Sequence, residues 1–220
     1  MSSPMSGQQK TKKHLIADIL REAILSGELV PGERLLQEEL AERFEVSPTP
    51  IREAVQQLVA EGVLSHSPYR GVQVAEVRME DVQEVYLIRS VIEELATQMA
   101  VLNLRIIDVR QLRTYQEQIR DCVQKGELQP LRKLNYEFHM LIYKAADMPL
   151  LLSMIRILWT KFPWDTLHVL PQRAQSAEDE HQQILDAINQ GDADLAGKLM
   201  RTHIESSSSA LRDYLKKPEK

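Results

Sequence analysis

The sequence predicts a mainly α-helical protein, with an N-terminal winged helix-turn-helix and a C-terminal antiparallel α-helical bundle. Two observations support this fold class. Residues 39–74 indicate a short helix, a tight turn, a second helix ending at a glycine and a small β-ribbon, which is the order of a winged helix-turn-helix. Beyond residue 78 apolar residues recur at helical spacing to the end of the chain, and no further strand is predicted.

The first predicted domain spans residues 11–77 and follows a disordered N-terminus at 1–10. Residues 11–26 have apolar side chains at helical spacing, and Gly27 is expected to end that helix. Leu36–Phe44 is predicted as a second, short helix. These two helices precede the turn that leads into the third.

The third helix is expected to begin after Ser47, whose side chain would cap its N-terminus. Pro48 and Pro50 fall in the first turn, where backbone N–H groups have no partner within the helix, so neither proline breaks it. Gly62 is expected to end the helix in a left-handed conformation. Two short strands joined by a turn are predicted at Val63–Ser67 and Gly71–Val77.

The second predicted domain, residues 78–216, is a bundle of about six helices. Glycines and prolines mark the breaks between them. The helices are predicted at 80–102, 106–125, 129–146, 148–161, 174–190 and 192–215.

Composition limits the cellular context. The single cysteine, Cys122, excludes a disulfide framework and fits a reducing compartment. No segment approaches the ~20 apolar residues that span a bilayer. Residues 1–11 are rich in Ser, Gln and Lys and do not resemble a signal peptide. We therefore expect a cytoplasmic protein with no membrane partner.

The chain is acidic, with a formal net charge of −5 at pH 7. Residues 1–78 carry nine Lys and Arg against eleven Asp and Glu, so even the predicted DNA-binding half is not basic. Non-specific attraction to phosphates is therefore expected to be modest. DNA binding would have to depend on where the positive groups lie and on dimeric contact.

The first turns of the third helix carry candidate DNA-reading residues, because this part of a helix-turn-helix meets base edges. They are Ser47, Thr49 and Arg52. Arg52 can hold guanine O6 and N7 with two hydrogen bonds. The alternatives are that Arg52 forms a solvated pair with Glu53 and that Ser47 acts only as a helix cap.

The tip of the ribbon carries Tyr69 and Arg70. A cation on a thin ribbon can enter the narrow minor groove beside the recognition helix. Turn tips are also often charged simply because they are exposed to water, and the sequence leaves both interpretations of Arg70 open.

An ordered set of residues extends across this domain: Ile24-Leu-Ser-Gly27-Glu-Leu-Val-Pro31-Gly32-Glu-Arg-Leu35, Glu39-Leu-Ala-Glu, Val46-Ser47, Thr49-Pro50-Ile-Arg52-Glu53-Ala54, Leu58, Glu61-Gly62 and Arg70-Gly71. Residues 14–76 thereby resemble the N-terminal domain of the GntR family of bacterial transcription regulators. The wing residues Arg70 and Gly71 are part of this match, and Gly71 joins Tyr69 and Arg70 as a candidate DNA-binding residue of the wing. The family usually has arginine where this chain has Pro48, so the resemblance also implies that one DNA contact is missing.

Three histidines and one asparagine lie on the apolar stripes of three predicted helices of the bundle. Asn135 and His139 are four residues apart and share a helix face. His181 and His203 lie on the stripes of the last two helices. Convergent neutral imidazoles suit a divalent transition metal. From the pattern alone, three unrelated core histidines, each bonded to a backbone or acidic neighbour, remain the alternative.

Residues 80–215 are similar to the FCD ligand-binding domain of the FadR-type branch of GntR regulators, in its six-helix, VanR-like version. The matching residues are Arg89-Ser-Val-Ile-Glu93, Asn135-Tyr-Glu-Phe138-His139, Glu180-His181-Gln-Gln-Ile184-Leu-Asp-Ala187-Ile, Gly191-Asp192, Ala196 and His203. In metal-binding members an aspartate and three histidines hold the ion beneath a pocket for a small carboxylate. The resemblance places these four ligands at Asn135, His139, His181 and His203.

Asparagine at position 135 replaces the aspartate of the family. A neutral amide oxygen is a weaker ligand, so metal affinity is expected to fall, while an anion at the open positions would be held more strongly. Zinc or nickel is the expected ion. Arg89 and Arg173 are predicted to bind the effector, although Arg89 could instead pair with Glu93 one turn away.

The sequence thus predicts a homodimeric transcription regulator, expected to be a repressor, that binds a palindromic double-stranded DNA operator and responds to a small organic acid at a metal-containing pocket. One alternative is a metal-dependent hydrolase, although no free Glu, Ser or Cys is identifiable beside the histidines as base or nucleophile. Another is a DNA-binding regulator whose metal is purely structural.

Overall fold

A computed structural model of the chain describes residues 11–67, 71–76, 82–161 and 173–215. The chain divides into two compact units, Met1–Glu76 and Val77–Lys220. The fold is mainly helical with one small sheet, which confirms the predicted fold class. No helix in the described part of the chain combines the length and apolar character that a membrane span requires.

The first unit is a three-helix winged domain with a three-stranded antiparallel sheet in the order β1-β3-β2. Its elements are α1 Lys12–Leu25, β1 Arg34–Leu35, α2 Gln37–Arg43, α3 Pro48–Ala60, β2 Leu64–Ser67 and β3 Gly71–Val74. The sequence predicted the ribbon β2–β3 but missed β1. Two residues are too few to show strand periodicity, and β1 exists because it pairs with the distant β3, with Leu35 opposite Val72.

The start of α3 differs in one respect from the prediction. Ser47 occupies the N-cap position, but its side chain makes no capping hydrogen bond. An N-cap side chain accepts from the N–H groups of the second or third helical residue, and the third residue here is Pro50, which has no N–H. Gly62 ends the segment with φ of 67°, the left-handed conformation that was predicted.

The core of the first unit is formed by the inner faces of the three helices and by the sheet. Ile51, Ala54, Val55 and Leu58 of α3 are buried in it. Because these residues pack one face of α3 against the core, the opposite face of the helix is exposed to solvent.

The second unit contains six described helices, close to the six that the sequence predicted. They are α4 Val82–Asn103, α5 Ile106–Lys125, α6 Leu128–Ala145, α7 Pro149–Lys161, α8 Ala174–Gln190 and α9 Ala193–Leu215. α9 packs along α4 and α8, while α6 contacts α4 and α5. A Cβ at Gly197 of α9 would lie 2.5 Å from Cγ of Gln98, so glycine permits α9 to lie this close to α4.

Candidate functional site

The candidate DNA-reading residues of the first unit lie on the solvent side of α3. Ser47, Thr49 and Arg52 are all exposed, directly outside the buried residues of the same helix. Arg52 makes no hydrogen bond or ion pair with any described residue, so the alternative of a pair with Glu53 is not observed. Its guanidinium donors are therefore available to a ligand.

The wing supplies the other predicted DNA contacts. Gly71 begins β3, is exposed, and has φ of +77° with no atom within 4 Å of a Cβ placed on it. Tyr69 and Arg70 lie outside the described residues. Their proposed contact with DNA stays a prediction.

In the second unit three histidines converge inside the bundle. His139 on α6, His181 on α8 and His203 on α9 are at most 5% exposed, and one ring nitrogen from each lies within 4.8 Å of the others. Nε2 of His139 and Nε2 of His181 are 3.1 Å apart. Three apolar stripes that face one core therefore bring together imidazoles from distant parts of the sequence.

A chain of hydrogen bonds sets the orientation of His139. Tyr143 lies one helical turn after His139, and its hydroxyl donates a short hydrogen bond to Oε2 of Glu93 on α4. Its oxygen, 3.0 Å from Nδ1 of His139, is then free to accept from that nitrogen. With the proton on Nδ1, Nε2 of His139 presents a lone pair to the cluster.

His203 is held in the same way by an acidic neighbour. Its Nδ1 lies 2.7 Å from Oε2 of Glu180 on α8, so an Nδ1–H donates to the carboxylate. Arg173 donates to the same carboxylate oxygen. Burial raises the pKa of Glu180, but the hydrogen bonds from His203 and Arg173 outweigh it and leave that pKa below its usual value. This anion orients the His203 ring through Nδ1 and leaves Nε2 as the nitrogen available to a ligand.

Two buried polar atoms, one in the cluster and one a helical turn away from it on α6, have no partner among the described residues. Oδ1 of Asn135 and Nδ1 of His181 are buried and make no hydrogen bond with the described residues. A buried polar atom without a partner is costly, and native proteins rarely leave one unexplained. Asn135 precedes His139 by one turn of α6, so its orphaned oxygen belongs to the same helix face as a clustered imidazole.

The imidazoles of His139 and His181 are held in their neutral form. The pKa of His139 and that of His181 lie well below the usual value, chiefly because burial disfavours the charged form and also because neighbouring positive groups repel a proton. Neutral imidazole is the form that binds metal ions.

Both arginines predicted to bind an effector have carboxylate partners within the protein. Nε of Arg89 lies 2.6 Å from Oε1 of Glu93, and its guanidinium stacks 4.6 Å from the ring centre of Trp159. Burial lowers the pKa of Arg89, but Glu93 more than compensates and raises it. Arg173 pairs with Glu180. Their predicted contact with an effector stays a prediction.

The sequence identified the histidines but missed the groups that orient them. Tyr143 could have been found, because it follows His139 by four residues and so lies on the same face of α6. Glu180 offered no local signal, since its contact with His203 joins residues 23 apart. Glu93 was noted as a partner of Arg89 but not as the acceptor for Tyr143 and for the indole N–H of Trp159, 2.9 Å away.

Comparisons with known proteins match both units. The family model of bacterial regulatory proteins, gntR family, matches residues 12–74, and that of the FCD domain matches residues 84–206. The HTH-type transcriptional regulator McbR of Escherichia coli (strain K12) is 34% identical over 159 residues, 72% of each chain. The HTH-type transcriptional repressor RspR of the same organism is 28% identical over 202 residues, 88% of this chain and 86% of RspR.

Solved structures agree with this assignment. The structure of E. coli McbR/YncC has a TM-score of 0.79 at 26% identity, covering 94% of this chain and 100% of the other. A GntR regulator from Rhodococcus sp. RHA1 shares the fold, with a TM-score of 0.70 at 22% identity over 93% of this chain and 99% of that one. The relatives and structural neighbours are transcription regulators, which excludes the hydrolase alternative. The chain therefore belongs to the gntR family of bacterial transcription regulators, with an FCD domain C-terminal to its DNA-binding winged helix-turn-helix in the sequence.

Proposed function

We propose that this regulator is a homodimeric repressor whose FCD domain holds a divalent transition metal and binds a small organic acid that controls operator binding. The observation that carries the proposal is the buried cluster of His139, His181 and His203, with an orphaned amide oxygen of Asn135 on the same face of α6. Repression is favoured by the relative RspR, which is named a repressor.

The cluster fits a metal ion in two respects. Two nitrogens bound to one zinc ion at about 2.0–2.1 Å lie roughly 3 Å apart, and the two Nε2 atoms of His139 and His181 are 3.1 Å apart. The hydrogen bonds of Nδ1 to Tyr143 in His139 and to Glu180 in His203 leave Nε2 of each ring as the nitrogen available to a metal ion. A bound dication would supply positive charge and open coordination positions for a carboxylate.

A metal-free arrangement of the same residues is the competing explanation. Nε2–H of His181 can donate to the lone pair on Nε2 of His139, which would make the cluster an ordinary hydrogen-bonded core. That arrangement leaves Oδ1 of Asn135 unpaired, whereas metal coordination would satisfy it. Zinc and nickel are the favoured ions, because imidazole-rich sites bind that end of the affinity series.

Metal titration of the chelator-treated protein, followed by calorimetry and elemental analysis, tests the site. We expect one equivalent per chain and tighter binding by the Asn135→Asp variant, because a carboxylate is a stronger ligand than an amide. The His14→Gln variant is the matched control, since His14 is exposed and bonds to Thr11 in the other unit. Equal affinity of wild type and Asn135→Asp would show that residue 135 is not a ligand.

An apolar stripe on α4 supports dimerisation. Leu87, Val91 and Leu95 recur every four residues and are 63%, 49% and 42% exposed. An apolar stripe of this kind is typical of a helix that packs against a second copy. A two-fold dimer presents two recognition helices to a palindromic operator. Sedimentation analysis should find a dimer that Val91→Glu dissociates and that Leu150→Glu, an exposed residue of α7, leaves intact.

Effector control is tested by titrating small mono-, di- and hydroxycarboxylic acids while operator binding is measured on the metal-loaded and the metal-free protein. An acid that changes operator affinity only in the metal-loaded protein supports the proposal. If the operator affinity of the metal-loaded protein does not change with any of these acids, the metal ion has a structural role instead. The size of any response is set by the difference between the acid's affinities for the two arrangements of the dimer.

A further inference from the structure

The first unit contains a groove of about 590 Å³ between α3 and the ribbon β2–β3. α3 contributes Pro48 and Arg52, and the ribbon contributes His66, Gly71 and Val72. The remaining lining comes from β1 and the start of α2, residues 34–39. The groove therefore lies between the two elements that a winged helix-turn-helix presents to DNA.

Three positively chargeable side chains of this lining are exposed and unpaired. Arg34, Arg52 and His66 make no hydrogen bond or ion pair with any residue that the structure describes. The other described arginines of this unit pair with acidic residues, Arg43 with Glu28 and Arg21 with Asp18 and Glu61. Unpaired donors around a groove are available to an external anion, because no internal bond has to be broken first.

We propose that this groove holds one sugar-phosphate strand of the operator, and that Arg34 and His66 contact its phosphates. The inference rests on the operator binding described above and extends it to residues outside the recognition helix and the wing tip. Phosphodiester backbone is the ligand class that fits, because the available groups are N–H donors, two of them guanidinium cations, without a base-specific arrangement.

The geometry of duplex DNA supports this assignment. A sugar-phosphate strand separates the major groove, about 12 Å wide, from the minor groove, about 6 Å wide. A protein that places a helix in one groove and a ribbon in the next must straddle that strand, so the space between helix and ribbon faces phosphates. Arg34 lies at this position because β1 pairs with β3, with Arg34 opposite Gln73.

Two acidic side chains limit the strength of the contact. Glu38 and Glu39 also line the groove and offset part of its positive charge. This agrees with the absence of a basic excess in the first 78 residues. A few placed cations, rather than a broad positive surface, would hold the backbone.

The test compares Arg34→Ala with wild type on an operator duplex and a scrambled duplex, by fluorescence anisotropy between 50 and 200 mM salt. We expect affinity for both duplexes to fall by a similar factor. The slope of log K against log salt should shrink by about 0.9 for each phosphate contact removed. His66→Ala should also weaken both duplexes, and the double variant Glu38→Gln/Glu39→Gln should strengthen both.

Two matched variants make the result specific. Arg43→Ala removes an exposed arginine of the same unit that pairs with Glu28 outside the groove, and its slope should equal that of wild type. Arg52→Ala should lower affinity for the operator more than for the scrambled duplex. Thermal melting monitored by circular dichroism verifies that each variant is folded.

Unchanged affinity and slope of Arg34→Ala would overturn the inference, as would a loss confined to the operator, which would indicate a base contact. Wild-type protein that binds no duplex at any of these salt concentrations would instead overturn operator binding itself. The two failures are therefore distinguishable.

Discussion

The two candidate sites differ in how their functional groups are held. In the first unit Ser47, Thr49 and Arg52 are exposed, and Arg52 has no described partner. In the second unit His139 and His203 are buried and bonded to named groups. Hydrogen-bonding side chains are thus exposed and unpaired in the first unit, whereas His139 and His203 of the second unit are buried and held by named partners.

The difference follows from what each site must exchange. A DNA-reading side chain replaces its hydrogen bonds to water with hydrogen bonds to a phosphate or a base. It must therefore be exposed and unpaired in the free protein. A buried imidazole cannot exchange hydrogen bonds with bulk water, so the ring nitrogen that does not face the cluster needs a partner within the protein. That partner orients the ring and the nitrogen that faces the cluster. Exposed, unpaired residues and buried, oriented residues are therefore two distinct marks of function in one chain.

Removing an imidazole from the buried cluster is expected to have the largest effect on either site. His181→Gln should lower metal affinity by about 100-fold or more, because losing a ligand costs more than losing the group that orients one. Calorimetric titration measures the effect, and His14→Gln should leave affinity unchanged. If His181→Gln binds metal as tightly as wild type, the cluster is an ordinary hydrogen-bonded core and not a metal site.

The exposed site is tested by Arg52→Ala. Discrimination between the operator and a duplex altered at the contacted base pair should fall by about 1–3 kcal/mol, the contribution of a bidentate arginine–guanine contact. Metal affinity should stay the same, because Arg52 is outside the metal-site unit. Competition binding with single-base operator variants measures the discrimination, and an undiminished preference at every position would rule out base reading by Arg52.

The Glu180→Gln variant tests whether Glu180 orients His203. Replacing the carboxylate that fixes Nδ1 of His203 should lower metal affinity about 10–100-fold. Glu178→Gln is the matched control, because Glu178 lies on the same helix but bonds to Gln116 and Arg120. Affinity that falls equally in both variants would indicate general destabilisation of α8 instead.

The smallest expected effect is a change in the pH dependence of stability of the metal-free protein. His139 and His181 have pKa values well below normal in the folded protein, whereas they titrate near 6.5 when unfolded. Between pH 6.5 and 5 the unfolded chain therefore binds more protons, and the free energy of unfolding falls as pH falls. Each histidine contributes up to about 1.4 kcal/mol per pH unit.

His139→Gln removes one of these titrating groups, so its free energy of unfolding should depend less steeply on pH by about that amount. Urea unfolding at pH 6 and pH 5 measures the difference. This window lies above the range in which Glu180 titrates, because its pKa is lowered from an ordinary value of 4.5. Equal slopes in wild type and variant would contradict the assignment of a neutral, buried His139.

Features with a local cause could be predicted from the sequence. The six helices of the bundle and the ribbon follow from periodicity and from glycine and proline positions, and residues four apart on a helix, such as Arg89 and Glu93, could be paired in advance. β1 could not be predicted, because its two residues become a strand only through pairing with β3. Pro50 removes one of the two N–H donors that a Ser47 cap could use, and this part of the missing cap could be predicted from the sequence.

By itself the sequence determined which residues are polar on apolar stripes, which face of each helix turns inward, and which family the chain resembles. Only the tertiary structure decided the partners of those buried polar groups that bond to residues far away in the chain. Glu180 meets His203, and Tyr143 meets Glu93, across 23 and 50 residues of chain. Helical periodicity fixes the direction of a side chain relative to its own axis, whereas the packing of separate helices determines what lies in that direction.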